Sequence, residues 1–152
     1  MHHVSIRTAN IQKAIAFYEV LGFTIENRFV IDYTLACWME GLGGRIELIE
    51  IPEPKATQNI FEDNHYIGYY HISFNLTHYT SDLSIWLDQL KINFSQYAQE
   101  NLDNCSYPII LLEPHKQVIG DKLYEIAFIQ DQDGLPLEFI RILENSKQTF
   151  SC

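Results

Sequence analysis

Positively charged residues are scarce in this sequence. Ten Lys and Arg stand against 20 Asp and Glu, which gives a formal net charge of −10 at pH 7 and a pI near 4.9. Nucleic acids and acidic membrane surfaces bind proteins through concentrated positive charge, so this balance argues against both as partners. Polyanions are therefore not the expected partners.

Cysteine is also rare, with only Cys37, Cys105 and Cys152. The odd number argues against a disulfide framework, and the spacing fits no cysteine metal motif. The sequence does not open with a basic segment followed by an apolar one, and no apolar run approaches the length that spans a membrane. A reducing, cytoplasmic location is expected.

Apolar residues, in contrast, are plentiful. They make up 47% of the 152 residues, and 13% of the chain is aromatic. This composition excludes a disordered or fibrous chain and supplies a core for one compact domain or two small fused modules.

Two short segments occur twice. His3-Val-Ser-Ile-Arg returns as His71-Ile-Ser-Phe-Asn, and Ile46-Glu-Leu-Ile-Glu-Ile returns as Leu137-Glu-Phe-Ile-Arg-Ile. Each half thus opens on a histidine strand and closes on a glutamate strand. Because two histidines and two carboxylates are an ordinary ligand set for a divalent cation, a metal site is the first hypothesis.

The first half, residues 1–51, reads as βαβββ. Asn10 can cap a helix that ends before Gly22. Alternating apolar residues predict strands at 3–8, 23–30, 33–40 and 45–51. The helix is indicated by apolar residues at helical spacing, namely Ile11, Ala14, Ile15, Tyr18 and Leu21.

The second half, residues 70–143, repeats this order after a polar connector at 52–69. A helix capped by Thr80, Ser81 or Asp82 has the apolar face Leu83, Trp86, Leu87 and Leu90. Strands are predicted at 70–76, 108–118, 123–130 and 136–143. The half is longer than the first, so an insertion is expected at about 93–122, with 95–107 as polar loop; residues 144–152 form a polar tail. The fold class is α+β, with two βαβββ modules whose curved mixed sheets surround a central crevice.

The candidate ligands share one face of their strands. Side chains alternate along a strand, so Ser5 and Arg7 face the same way as His3, while Val4 and Ile6 form an oily face suited to helix packing. The same alternation places Glu47, His71 and Glu138 on the mixed face. A single strand His or Glu is more often solvent-facing than a ligand, but four at equivalent places in two modules favour the site.

The remaining histidines are weaker candidates. His2 competes with His3 as the first ligand. The alternation of side chains along the strand and the alignment with His71 favour His3. His65, His78 and His115 lie in loop-like contexts and are expected on the surface.

At both ends the chain resembles a known family. Residues 2–23, which end Tyr18-Glu-Val-Leu-Gly-Phe, look like the opening of the vicinal oxygen chelate superfamily, which includes glyoxalase I, extradiol dioxygenases and bleomycin resistance proteins. Asp131-Gln-Asp-Gly-Leu-Pro-Leu-Glu-Phe looks like its closing motif. The resemblance covers nearly the whole chain except 93–122 and is more specific for the fold than for the reaction.

The resemblance implies a divalent metal ion (Ni, Zn, Co, Mn or Fe) held by His3, Glu47, His71 and Glu138. A ligand at all four places is closest to glyoxalase I, a lyase or isomerase that works through an enediolate on a small α-oxo or hydroxy-carbonyl substrate. Glu138 is the expected catalytic base, with Glu47 the alternate, and Arg7 matches a position that contacts an anionic substrate group.

The resemblance leaves the reaction open. Glutathione-using glyoxalases tend to carry a polar residue four places after the first Glu ligand, where this chain has Ile51. The alternatives are an extradiol-type ring-cleaving dioxygenase and a non-catalytic small-molecule binding or resistance protein. A homodimer is expected, and the site is either complete within one chain or shared across the dimer.

Overall fold

The computed structural model of the chain describes residues 1–101 and 108–143. Its first module is a four-stranded sheet with one helix, as predicted. The sheet order is β1-β4-β3-β2, with β1 parallel to β4 and the other pairs antiparallel. The elements are β1 (Val4–Thr8), α1 (Ile11–Val20), β2 (Thr24–Ile31), β3 (Thr34–Gly41) and β4 (Gly44–Glu50).

The second module has the same topology, with sheet order β5-β8-β7-β6 and a parallel β5-β8 pair. The predicted α+β fold of two βαβββ modules is therefore confirmed. The elements are β5 (Ile72–Asn75), α2 (Leu83–Asn101), β6 (Ile109–Ile119), β7 (Lys122–Gln130) and β8 (Pro136–Ile142).

The sequence repeat is a repeat of strand register. Ser5 lies opposite Glu47 in the β1-β4 pair, and Ser73 lies opposite Glu138 in the β5-β8 pair. The two modules therefore present their glutamates at the same point of the same ladder.

Carboxyl and amide side chains cap both helices. The Asn10 side chain accepts a hydrogen bond from the backbone N–H of Lys13, and Asp82 accepts one from Ile85. In each module a strand glutamate also accepts the first helical N–H: Glu50 for α1 and Glu125 for α2. These acceptors satisfy N–H groups that have no partner inside the helix.

The expected loop at 95–107 is wrong over its first part. α2 has 19 residues against 10 in α1, and residues 95–101 belong to it. The polar composition was misleading because this end of α2 extends beyond the core: Phe94 is its last buried residue, after Leu87 and Leu90. A helical end without a buried stripe has the same composition as a polar loop. Residues 102–107 and the predicted tail at 144–152, with Cys105 and Cys152, lie outside the described residues.

The oily faces of the two sheets contribute to one core. Ile6 and Leu48 of the first module and Phe74 and Phe139 of the second belong to a single cluster of buried residues. Rings join the modules directly, since Phe17 and Phe94 have centroids 5.0 Å apart. The mixed faces, which carry the candidate ligands, are the faces that the helices do not cover.

In the two described ranges, no helix combines the length and the hydropathy needed to cross a membrane.

Candidate metal and substrate site

His3 and Glu47 form the first pair of candidate ligands. His3 directly precedes β1, and Glu47 lies in β4, the strand that pairs with β1. The His3 Nε2 and Glu47 Oε2 atoms are 3.4 Å apart. Glu47 is buried and His3 is half-buried, so the pair opens to solvent on the histidine side.

His71 and Glu138 form an equivalent pair in the second module. His71 directly precedes β5, Glu138 lies in β8, and the Nε2 to Oε2 distance is again 3.4 Å. Two donors that each lie about 2.0–2.2 Å from a first-row metal ion are separated by roughly this distance, so each pair fits as two neighbouring ligands.

The four side chains do not form one cluster within a single chain. Among the residues that the structure describes, no group of three or more His, Cys, Asp or Glu is placed to hold one ion. The predicted ligands are thus brought together two by two. The meeting of all four around a common ion stays a prediction.

Glu47 is held by several donors. The Trp38 indole N–H donates to Glu47 Oε1 at 3.0 Å. Burial raises the pKa of Glu47, but hydrogen bonds from Ser5, Trp38 and His3 and the electrostatic attraction to the His3 ring outweigh burial, and the pKa is lowered. Sequence reasoning missed Trp38; its position opposite Glu47 in the β3-β4 hairpin was the available signal.

An aromatic cluster surrounds His71, and sequence reasoning missed it as well. Phe128 packs its ring edge-on to His71, with centroids 5.0 Å apart, and Phe61 and Tyr70 cover Phe128. Burial, followed by the charge of Glu138, raises the pKa of Tyr70. Phe128 lies opposite Glu138 in the β7-β8 pair, so strand pairing could have found it; Phe61 comes from the connector, whose path the sequence does not predict.

Arg7 lies on the ligand face, opposite Ile49 in β4. It is exposed, and within residues 1–101 and 108–143 it has no hydrogen bond or ion pair. The guanidinium is therefore available to an anion, while its contact with substrate stays a prediction.

The other histidines lie apart from the two pairs. His65 and His78 are exposed, as expected. His115 was expected in a loop, but it lies in β6 opposite Ile126. A cleft of about 600 Å³ includes His78 and Arg141, and another of about 290 Å³ includes Phe17 and Asp131; neither contains any of the four candidate ligands.

A sequence profile described as Glyoxalase/Bleomycin resistance protein/Dioxygenase superfamily matches residues 1–100. No curated protein sequence matches the chain.

Solved structures share the fold at low sequence identity. A glyoxalase family protein from Enterococcus faecalis is 20% identical with a TM-score of 0.62, covering 93% of this chain and 96% of that one. Another from Bacillus cereus is 17% identical with a TM-score of 0.61, covering 94% and 93%. A mutant glyoxalase I from Zea mays is 20% identical with a TM-score of 0.61; the match covers 93% of this chain and 44% of the maize chain. At this identity the likeness establishes the fold alone.

Proposed function

Because this chain belongs to the glyoxalase/bleomycin resistance protein/dioxygenase superfamily, we propose that it is a metal-dependent lyase or isomerase of the glyoxalase I type. The substrate is a small α-oxo or hydroxy-carbonyl compound. The observation that carries this proposal is the presence of a His–Glu pair, with donor atoms 3.4 Å apart, at the same register position of both modules.

The proposed ligands are His3, Glu47, His71 and Glu138. A divalent ion bound by these four side chains would act as a Lewis acid and polarise two neighbouring oxygens of the substrate. Arg7, exposed on the same face, binds an anionic substrate group. The apolar side chains of Phe128 and Trp38 next to the two pairs exclude water from the reacting atoms.

Glu138 is the proposed base that moves a proton between adjacent substrate carbons. Trp38 and Ser5 both donate to Glu47, which fixes its carboxylate and lowers its pKa. In the described part of the chain, Glu138 has only His71 as a close polar partner. Its carboxylate is therefore the freer of the two to reach a substrate proton.

Two copies of the chain complete each site in this proposal. The pair from the first module and the pair from the second stay separate within one chain, so a homodimer in which His3 and Glu47 of one copy face His71 and Glu138 of the other supplies all four ligands. The superfamily assignment and the separation of the pairs support this arrangement.

Hybrid dimers test the shared site. One variant carries His3→Ala with Glu47→Gln, and the other carries His71→Ala with Glu138→Gln. If the site is shared, each parent binds metal weakly, whereas the hybrid has one intact site and one tightly bound ion per dimer. If each chain holds its own site, the hybrid gains nothing over its parents. Monomeric sedimentation of the wild type at micromolar concentration would contradict the dimer.

Proton exchange tests the reaction. In D₂O with a panel of α-hydroxy ketones and α-oxo aldehydes, the metal-loaded wild type is expected to incorporate deuterium next to the carbonyl. Glu138→Gln is expected to slow this exchange by about 10²-fold or more, while Glu50→Gln, on the cap of α1, serves as the matched control. Equal rates for Glu138→Gln and the wild type would rule out the assigned base. Oxygen uptake with catechols would instead identify a dioxygenase.

The aromatic cluster favours one other candidate function, a module that binds a small molecule without turnover. Tyr70 and Phe128 contact His71 with their rings, and Phe61 packs on both of them. Such surfaces bind flat apolar ligands. Tight binding of such a ligand to metal-free protein, with no exchange in any substrate, would identify this function.

A further inference from the structure

His3 is the end of a directed chain of hydrogen bonds that begins at Arg45. Arg45 Nη1 lies 3.0 Å from His2 Nε2, and His2 Nδ1 lies 2.8 Å from His3 Nδ1. His3 Nε2 faces Glu47 Oε2 at 3.4 Å. The two histidine rings and the two charged side chains thus form one continuous row.

The chemistry of the end groups determines where each proton lies. A guanidinium only donates, so His2 Nε2 accepts from Arg45 and carries no proton. The neutral His2 ring then carries its proton on Nδ1, which donates to His3 Nδ1. His3 Nδ1 is therefore an acceptor, and His3 carries its proton on Nε2, the atom that lies 3.4 Å from Glu47 Oε2.

This proton arrangement opposes metal binding at His3. A metal ion takes a lone pair, and His3 Nε2, the atom that faces Glu47, has none while it carries the proton. To bind a metal ion through Nε2, His3 must carry its proton on Nδ1 instead. The Nδ1–H group then needs a hydrogen-bond acceptor, as the second ring nitrogen of metal-bound histidines usually has. His2 Nδ1 is the atom in place to accept it.

The reversal displaces Arg45. Once His2 accepts at Nδ1, its own proton lies on Nε2 and faces the Arg45 N–H, so that two donors oppose each other at 3.0 Å. Arg45 has a second partner, since its Nη2 lies 2.7 Å from Glu26 Oε1. It can therefore leave His2 without losing its ion pair.

We propose that His2 is a positioning residue for His3, and that Arg45, acting through His2, holds His3 in the tautomer that does not bind a metal at Nε2. The coupling to metal rests on the proposed function, whereas the proton arrangement does not. We name the row Arg45, His2, His3 and Glu47 the histidine relay.

Within residues 70–101 and 108–143, the second module has no such relay. Tyr70 precedes His71 in place of a histidine and contacts it through ring packing, with centroids 4.7 Å apart. His71 Nδ1 is buried without a hydrogen-bond partner in the described part of the chain. In the part of the chain that the structure describes, a row of hydrogen bonds thus joins His3, but not His71, to an arginine.

Histidine tautomers in the metal-free protein test the relay directly. Long-range ¹H–¹⁵N NMR at a pH where the rings are neutral, with signals assigned from His2→Ala and His3→Ala, is expected to show His2 protonated on Nδ1 and His3 on Nε2. The opposite tautomer on either ring would overturn the relay. This outcome does not depend on whether the protein binds metal.

Zn²⁺ titration tests the coupling. Arg45→Met is expected to raise the affinity for Zn²⁺ by about tenfold, and adding His2→Ala to that variant is expected to lower it again by about tenfold, because His3 Nδ1 loses its acceptor. Arg28→Met, which removes an exposed charge from the same sheet, controls for net charge. Equal affinities for Arg45→Met and Arg28→Met would overturn the coupling. Absence of binding in the wild type and every variant would overturn both the coupling and the proposed metal site, but not the tautomer assignment.

Discussion

At the scale of single residues, the two candidate glutamates differ in what surrounds them, although their strand positions are equivalent. Glu47 accepts hydrogen bonds from Trp38 and Ser5, whereas Glu138 is bordered by the Phe128 and Tyr70 rings. Because donors stabilise a carboxylate and rings do not, the two equivalent positions of the repeat place their carboxyl groups in different surroundings, and the separate roles of Glu47 and Glu138 belong to the proposed function.

Trp38→Phe tests the role of the indole. Removing the donor is expected to raise the pKa of Glu47, measured by ¹³C NMR on metal-free protein. Since the pKa of Glu47 is lowered in the folded protein, its stabilising contribution is present at neutral pH and is lost as the pH falls through the folded pKa; the variant is expected to lose about 1–2 kcal/mol of stability at neutral pH. Trp86→Phe, at the other tryptophan, should leave this pKa unchanged. An unchanged pKa in Trp38→Phe would contradict the role.

Asp131 is the buried carboxyl group that joins the modules. It accepts hydrogen bonds from the Tyr18 hydroxyl of α1 and from the backbone N–H groups of Asp133 and Leu135. Burial raises its pKa from 3.8 to about 6, in spite of the hydrogen bonds from the backbone. The folded protein therefore binds this proton more tightly than the unfolded chain does.

The sign of the resulting pH dependence follows. Protonated Asp131 contributes its full stabilisation of the fold at pH values below the pKa of this group in the unfolded chain. The stabilisation is lost as the pH rises through the folded pKa of about 6, and the loss amounts to roughly 3 kcal/mol in total. Asp131→Asn can keep both hydrogen bonds from backbone N–H groups but cannot titrate. The variant is therefore expected not to show this decrease in unfolding free energy when urea unfolding is measured between pH 4 and pH 7. Asp121→Asn, on the exposed β6-β7 turn, is the control. A wild-type slope retained in Asp131→Asn would show that another group titrates.

At the scale of elements, the turn between β3 and β4 carries Trp38 and Glu47 to opposite positions. Leu42 and Gly43 in this turn have positive φ angles of 49° and 76°. Gly41, just before them, lies against the chain that follows α1: a Cβ added there would be 2.7 Å from the Phe23 Cα and 2.9 Å from the Gly22 oxygen. The close approach fixes the hairpin against the helix.

Gly41→Ala tests this contact. Because the clash involves backbone atoms, the variant is expected to lose about 1–3 kcal/mol of unfolding free energy. Gly44→Ala is the matched control, since a Cβ at Gly44 would have its nearest neighbour at 4.0 Å; its effect is expected within about 0.5 kcal/mol. Chemical denaturation measures both. Equal losses would contradict a packing role for Gly41.

At the scale of the whole molecule, the two modules unfold as one unit in our interpretation. Their buried residues belong to a single cluster, and the helices meet through Phe17 and Phe94. Because the two modules share this core, neither module has a complete hydrophobic core of its own, and neither is expected to unfold separately.

Phe94→Ala tests the shared core. The side chain is 1% exposed, so its loss is expected to cost about 3–5 kcal/mol. The transition should remain single when it is followed by fluorescence and by circular dichroism. Ile92→Ala, two residues away on the exposed side of α2, should cost far less. Two separated transitions in the wild type would contradict cooperative unfolding.

The sequence by itself determined the repeat, the order of elements and the face on which His3, Glu47, His71 and Glu138 lie. These properties follow from the alternation of side chains along each strand and from the strand register, and both patterns occur twice in the sequence. The length of α2 was underestimated because its last residues, 95–101, continue the helix past Phe94, its last buried residue, and a helical end without a buried stripe has the composition of a loop.

Only the tertiary structure decided how the four residues are grouped and what touches them. The pairing of each histidine with a glutamate, the indole on Glu47, the connector phenylalanine near His71 and the row from Arg45 to His3 all join residues that are not neighbours in the chain. Such contacts depend on how strands pair and how loops return, which strand periodicity does not encode.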